Sequence, residues 1–388
     1  CSLYLWKNNI HVFQIVTQRI SIMKAFLHAG LVLSLAITIT RPVSVMAKGG
    51  EEDQTLSARQ TEEFHFTWNE NITIRGTIWL PPDGATQGNL AALVHGDGPQ
   101  DRTSGGGYNP LINALLDQGI AVASWDKPGV GESGGSWLDQ SMSDRADETR
   151  SAIRKLRQRF EDSAIGAIGF SQAGWVLPRL SVEDDLDYLV LIGPAVNWQD
   201  QGDYFGTIRM EAEGKSLDEI EEALIRDRAN DDIIFNAPTF PNNTADLTED
   251  RWAFIKRNRH EDSTIFIANL TISTLAMWGE VDLNVDASKS AEIYRKFLTV
   301  CPHQVVLIPE ATHGLQKSTY NYQLVDQWPW QKQIDWYEEG RFAYAEGALD
   351  LLTDWLLQRD HREAGQSDIC GGSKDIKDIG SSSSAPGL

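Results

Sequence analysis

The chain has 388 residues, 41% hydrophobic and 23% charged, which fits one large α/β domain carrying an insertion. Its formal net charge of −21 argues against a nucleic-acid or anionic-membrane surface and accords with solubility. Cys1, Cys301 and Cys370 are too few and too scattered for a metal cluster or a disulfide scaffold; a single Cys301–Cys370 bridge would need an oxidising compartment.

Residues 1–47 read as a leader. Met23-Lys24 opens a mostly apolar run, Ala25–Ile39, followed by Arg41-Pro42 and a small-residue site ending at Ala47. A lysine, a short apolar core and such a site are the parts of a secretory signal peptide, with a true start expected at Met23. The run is interrupted by His28, Gly30, Ser34 and Thr38 and is short for a membrane span, so a retained anchor is the lesser alternative. The leader holds Lys7, Arg19, Lys24, Arg41 and no acid; residues 48–388 hold 30 basic against 55 acidic residues, a charge of −25. An exported, periplasmic or secreted, strongly acidic protein is expected.

Glu63–Trp68 and Ile72–Leu80 are rich in β-branched and aromatic residues and read as a hairpin about Asn69-Glu70-Asn71. Leu90–Val94 is a short buried strand that runs into His95-Gly96-Asp97-Gly98-Pro99. A helix over about Pro110–Asp117, a strand over Ile120–Trp125 and an amphipathic helix over Asp144–Phe160 come next, the last with Ala146, Ile153, Leu156 and Phe160 inward. Ala164–Phe170 is the next buried strand, and Tyr188–Ile192 another. Residues 199–270 then break the alternation, being polar and helical in patches (Ser216–Arg228, Glu249–Arg259), and read as a cap of about 70 residues over the sheet. Strands resume at Ser273–Trp278 and Val305–Ile308, with helices over about Ala287–Leu298 and Ala348–Gln358. From residue 362 the Gly/Ser-rich chain is expected to be a disordered tail. The domain reading is a core over 62–198 and 271–361 with the cap at 199–270. Its fold class is α/β, a mostly parallel sheet with helices on both faces, so ligands bind beyond the carboxyl ends of the strands.

Three strand ends carry the chemistry. After Phe170 comes Ser171, flanked by Gly169 and Ala173 two residues to either side, with Gly174 next and a helix-compatible stretch beyond. Small residues there allow the tight strand-to-helix turn of a nucleophile elbow, with alanine replacing the second glycine of G-x-S-x-G. Asp282 lies three residues after Gly279 at the end of the penultimate strand and is the candidate orienting acid. Its competitor, Asp286, stands directly before a helix and fits an N-cap better. His313, just past the last strand, is the candidate base; His95 is the other histidine at a strand end. A hydroxyl, a base for its proton and an acid for that base are the requirements of serine acyl transfer, with backbone donors for the oxyanion.

The order Ser171, Asp282, His313 resembles the α/β-hydrolase superfamily, especially bacterial carboxylesterases with an H-G-x-G-P segment and their serine-aminopeptidase-like relatives. The segments carrying the resemblance are His95–Pro99, Asp126–Ser133, the elbow, Gly279–Asp282 and Thr312-His313-Gly314, within about residues 62–361. It implies an oxyanion hole from the N–H of Asp97, or of Gly96, and that of Gln172. It implies a structural role for Lys127-Pro128-Gly129, which replaces the family's commoner Arg-Gly. Asp101-Arg102 reads as a brace for the oxyanion loop, with a substrate carboxylate the alternative.

The expected activity is hydrolysis of small or medium carboxylic esters through a Ser171 acyl-enzyme, with a small-molecule ester as the partner and no metal, nucleic acid or organic cofactor. An aminopeptidase, thioesterase or lactonase on the same fold, and a catalytically silent binding protein, are the alternatives. A Rossmann reading fails because no G-x-G-x-x-G follows the first strand. Tyr320, Tyr322, Trp328, Trp330, Trp336, Tyr337, Phe342 and Tyr344 read equally as a pocket wall or as aromatic packing against the cap. Glu211, Glu213, Asp218, Glu219, Glu221 and Glu222 read as a solvated helix face, with a substrate amine as their sharper use.

Overall fold

The computed structural model of the chain describes residues 50–359 except 57–58, 70, 83–87, 181–183, 185, 242–246, 300–302 and 325–326. The expected leader, the expected tail and all three cysteines lie outside the described residues.

The hairpin forms as its alternation predicts. β1 (Gln60–Trp68) pairs antiparallel with β2 (Ile72–Leu80), with Phe64, Phe66 and Trp68 buried at every second position. Asn69 turns the chain at φ +51°, a conformation asparagine tolerates. β3 (Asn89–Val94), β4 (Ala121–Trp125), β5 (Ala164–Phe170) and β6 (Tyr188–Ile192) are apolar runs covered on both faces. With β7 (Ser273–Gly279) and β8 (Gln304–Ile308) they make one eight-stranded sheet ordered β1-β2-β4-β3-β5-β6-β7-β8. β2 meets β4 antiparallel, and every pairing from β4 through β3 to β8 is parallel.

Helices cover both faces. α1 (Asn109–Asp117) and the closing helix bury Leu111, Leu115, Leu352 and Trp355 against Ala91, Val122 and Val190 on one side. α2 (Met142–Arg157) packs Ala146, Ile153 and Leu156 on the other, against Phe64, Trp125 and Ile165. Ser141 and Asp144 form a reciprocal capping box that starts α2 two residues ahead of the expected Asp144.

Between β6 and β7 lie α3 (Trp198–Ala212), α4 (Leu217–Asn236), α5 (Glu249–Asn258) and α6 (Thr264–Ala268). The insertion is therefore more helical than its polar composition suggested. Asn197, Ser216 and Thr248 each cap a helix by accepting a backbone N–H, which satisfies donors that a helix leaves unpaired. α7 (Ala287–Phe297) connects β7 to β8. α8 (Trp330–Glu339) lies within the aromatic-rich stretch after His313, and α9 (Ala348–Leu357) closes the chain's core.

The segment after Ser171 differs from the helix-compatible reading. Ser171–Trp175 and Leu177–Arg179 are 3₁₀ turns. Pro178 has no N–H for an α-helical bond, and its ring crowds the carbonyl four residues back, so the chain cannot settle into a regular helix there.

Candidate active site

Ser171 stands at φ +50°, a left-handed conformation that costs a side-chain-bearing residue about 1–2 kcal/mol. The small neighbours make the turn feasible. A Cβ on Gly169 would lie 2.8 Å from the Cβ of Ala173 and 2.5 Å from Leu177, so the strand and the 3₁₀ turn touch backbone to side chain. The alanine in place of the usual second glycine fits without a clash.

Asp282 and His313 meet. His313 Nδ1 lies 2.7 Å from Asp282 Oδ2. The other oxygen, Oδ1, accepts the N–H groups of Asn284 (2.7 Å) and Val285 (2.9 Å), so the buried carboxylate is fixed in one orientation. Tyr204, from the insertion, donates its hydroxyl to the Asp282 carbonyl at 2.7 Å. Burial lowers the affinity of the His313 imidazole for a proton, but the Asp282 charge and hydrogen bond outweigh this and hold its pKa above the ordinary histidine value. Asp286 accepts the Lys289 N–H at 2.9 Å and caps α7, as its place before the helix implied.

The sheet register sets Ser171 next to Gly193, the glycine that the His313 ring approaches. Phe170 pairs with Ile192, so Ser171 and Gly193 leave neighbouring strands together. Gly193 has φ +57°, and a Cβ there would come within 3.0 Å of the His313 ring. Both Ser171 and His313 thus border Gly193, the first through the β5–β6 pairing and the second through direct contact.

His95 has a different task. Its Nε2 lies 2.6 Å from the Trp125 carbonyl, and its ring stacks on Tyr108 at 5.6 Å. Burial, reinforced by the charge of Lys127, drives its pKa down to about 3, so it is neutral and its Nε2–H donates to that carbonyl. It is a buried brace for the loop His95–Pro99.

That loop lies against the serine: a Cβ on Gly96 would sit 3.4 Å from Ser171 Cβ. Lys127 is buried beneath it and donates from Nζ to the carbonyls of Gly96 (2.6 Å) and Gly98 (2.9 Å). The lysine therefore shapes the loop, in line with the structural role the resemblance implied. Arg102 grips both oxygens of Asp126 and the hydroxyl of Thr77, while Asp101 accepts the N–H groups of Thr103 and Gly105. Asp101 thus holds the turn that follows the loop, and Arg102 ties that turn to the end of β4.

Sequence reasoning missed a layer behind the loop. Gln172 Nε2 donates to Asp97 Oδ1 at 2.8 Å, so the side chains of the two expected oxyanion residues are joined. Arg145, from α2, donates to Gln172 Oε1 (2.7 Å) and to the His95 carbonyl (2.6 Å). Glu148, one helical turn on, accepts from Trp125 Nε1 and Gln140 Nε2. Arg251, from α5, reaches Asp97 Oδ2 at 3.4 Å. Burial alone would raise the Asp97 pKa, but the charges of Arg251 and Lys127 hold the carboxyl below its usual range. The only available signal was the placement of Arg145 and Glu148 beside the inward Ala146 and Thr149 on α2, where a charged residue has to be paired.

The aromatic stretch resolves in a third way. Tyr320, Trp328, Trp336 and Tyr337 pack chiefly on one another, whereas Trp330 and Phe342 are exposed. The tie to the insertion is polar: Gln323 Nε2 donates to the carbonyl of Phe205 (2.8 Å), and also to that of Leu283 (3.0 Å) in the loop after β7. The carboxylates nominated for an amine are exposed; Glu213 pairs with Arg209 and Lys215, and Glu219 caps α4. Among the described residues no group of three or more His, Cys, Asp or Glu side chains is arranged to hold a metal ion.

A Pyrococcus furiosus esterase aligns at 17% identity and a TM-score of 0.49, covering 84% of this chain and 98% of its own. An Exiguobacterium antarcticum esterase aligns at 14% and 0.45, covering 76% and 100%. A Butyrivibrio proteoclasticus protein with bound ferulic acid aligns at 14% and 0.47, covering 76% and 98%. No curated protein matches the chain significantly. The family model for serine aminopeptidase, S33, matches residues 91–318, a span that runs from β3 through the elbow and the insertion to just past His313. The chain belongs to that family of α/β serine hydrolases.

Proposed function

We propose that the protein hydrolyses carboxylic esters, with Ser171 as nucleophile, His313 as general base and Asp282 as the group that orients and stabilises the imidazolium. The observation that carries this reading is the 2.7 Å His313–Asp282 contact, with a serine held at φ +50° at the end of β5 and only β6 between it and the strand that leads to Asp282. Ser171 attacks the ester carbonyl as His313 Nε2 takes the hydroxyl proton. The oxyanion is received by the N–H groups of Gln172 and of Asp97 or Gly96. Protonated His313 gives its proton to the leaving alkoxide, then takes one from a water whose oxygen bonds to the acyl carbon, and returns it to Ser171 Oγ as the acyl–serine bond breaks and the acid leaves. The insertion serves as the cap that walls the substrate.

The family description makes an aminopeptidase the second reading. Such an enzyme needs a carboxylate for the substrate ammonium, and the nominated carboxylates of α3 and α4 face solvent. Ester cleavage makes no such demand. Short-chain p-nitrophenyl esters and aminoacyl anilides, compared on wild type and Ser171→Ala, test the choice. Ester turnover abolished by the substitution is expected. Anilide turnover without ester turnover would overturn the esterase reading in favour of the peptidase. Failure of a fluorophosphonate to label Ser171 would favour a silent scaffold.

A further inference from the structure

We propose that Arg251, contributed by the insertion, is a positioning residue for the oxyanion hole, acting through Asp97 and Gln172. The inference rests on the serine-hydrolase reading and extends its machinery from the core into the insertion.

Arg251 sits in the first turn of α5, its own N–H bound by the capping Thr248. The residue is 1% exposed, with the guanidinium over the rings of Phe254 (4.9 Å) and Trp137 (5.5 Å). NH2 meets Asp97 Oδ2, while Nε and NH1 are buried without a partner. Packing does not account for an arginine here. An apolar side chain between Phe254 and Trp137 would avoid burying a charge with two unsatisfied donor atoms, which is costly. Nor does the insertion depend on it for attachment. Asn258 bonds Met142 and Gln140, and Ser263 donates to the Gly174 carbonyl at 2.7 Å.

What Arg251 does account for is Asp97. A carboxylate belonging to an oxyanion-hole residue would repel the negative charge that develops on the substrate oxygen. Arg251 opposes that charge and keeps Oδ2 turned toward the insertion. Oδ1 is then left to accept from Gln172, the residue directly after the nucleophile. Loss of the guanidinium frees the carboxylate to turn and leaves Lys127 alone to offset its charge, which weakens the transition state more than the ground state.

The test is Arg251→Met, alone and with Asp97→Asn, assayed on a p-nitrophenyl ester with thermal unfolding alongside. Arg251→Met should lower kcat by about 10–100-fold, less than the loss of a whole oxyanion donor, with KM within about threefold. Adding Asp97→Asn should restore at least about fivefold of the lost kcat, because the charge that Arg251 offsets is gone. A merely structural arginine would give no such rescue. Arg251→Lys, which keeps the charge, should stay within about tenfold of wild type and supplies the comparison, with and without Asp97→Asn, if the methionine variant fails to fold. A kcat unchanged in Arg251→Met, or a double variant no faster than the single, overturns the proposal. If Ser171→Ala is inactive while Arg251→Met is not impaired, only the Arg251 inference falls; an active Ser171→Ala removes the hydrolase reading itself.

Discussion

Asp282 and His313 are 31 residues apart in the chain and 2.7 Å apart in space, each on the loop after one of two adjacent parallel strands. The β7–β8 register makes this possible, because Gly279 pairs with Ile308 and both loops leave the sheet at one level. Removing either side chain should disable the base without unfolding the sheet. Asp282→Asn should lower kcat by about 10⁴-fold and Ser171→Ala by at least as much, with circular dichroism unchanged.

The same pair sets a pH dependence. As the proposed base, His313 must be neutral to accept the serine proton, so kcat/KM should rise with pH through a midpoint above the ordinary histidine value. In Asp282→Asn the charge that raises the pKa is gone and burial remains, so the midpoint should move to lower pH. A pH–rate profile of the two proteins, with the same ester, reads the shift directly. A midpoint that moves upward in the variant would contradict the assignment.

His95 predicts a stability effect of the opposite kind. Its folded pKa, about 3, is depressed below the ordinary 6.5. The unfolded chain therefore binds a proton that the folded chain refuses, and stability falls as pH drops from 6.5 toward 3. Above 6.5 the contribution is complete. The loss should be on the order of 4 kcal/mol across that window. Urea denaturation at several pH values should show a shallower acid slope in His95→Gln.

Lys127 holds two carbonyls of the loop His95–Pro99 from a fully buried position. Lys127→Met should leave both acceptors unpaired and cost about 2–4 kcal/mol of stability. It should also reduce kcat, because the loop loses its fixed shape. Denaturant midpoints and single-turnover kinetics measure the two effects separately.

Gly193→Ala places a methyl at φ +57° within 3.0 Å of the His313 ring. Strain of about 1–3 kcal/mol and a displaced imidazole are expected together. The variant should lose kcat far more than KM, whereas Ala195→Gly, on the same loop but away from the ring, should lose neither strongly.

The sequence alone determined the alternation of strands and helices, the elbow about Ser171, and the order of serine, acid and histidine. These have local causes: runs of apolar residues buried on both faces, small residues at a tight turn, and motifs that terminate strands. It also separated Asp286 from Asp282, because an N-cap is a property of the chain next to a helix. What the tertiary structure decided is everything that needs a partner from elsewhere. His95 became a neutral brace because Trp125 and Tyr108 close on it. Arg145, Lys127, Gln172, Asp97 and Arg251 come from five separate segments, and no spacing in the chain marks them as one network. α8 did carry a local signal, Trp330, Ile334 and Tyr337 at i, i+4 and i+7, within a short aromatic-rich stretch. Charges buried by folding are paired through space, so their partners emerge only once the strands have been set side by side.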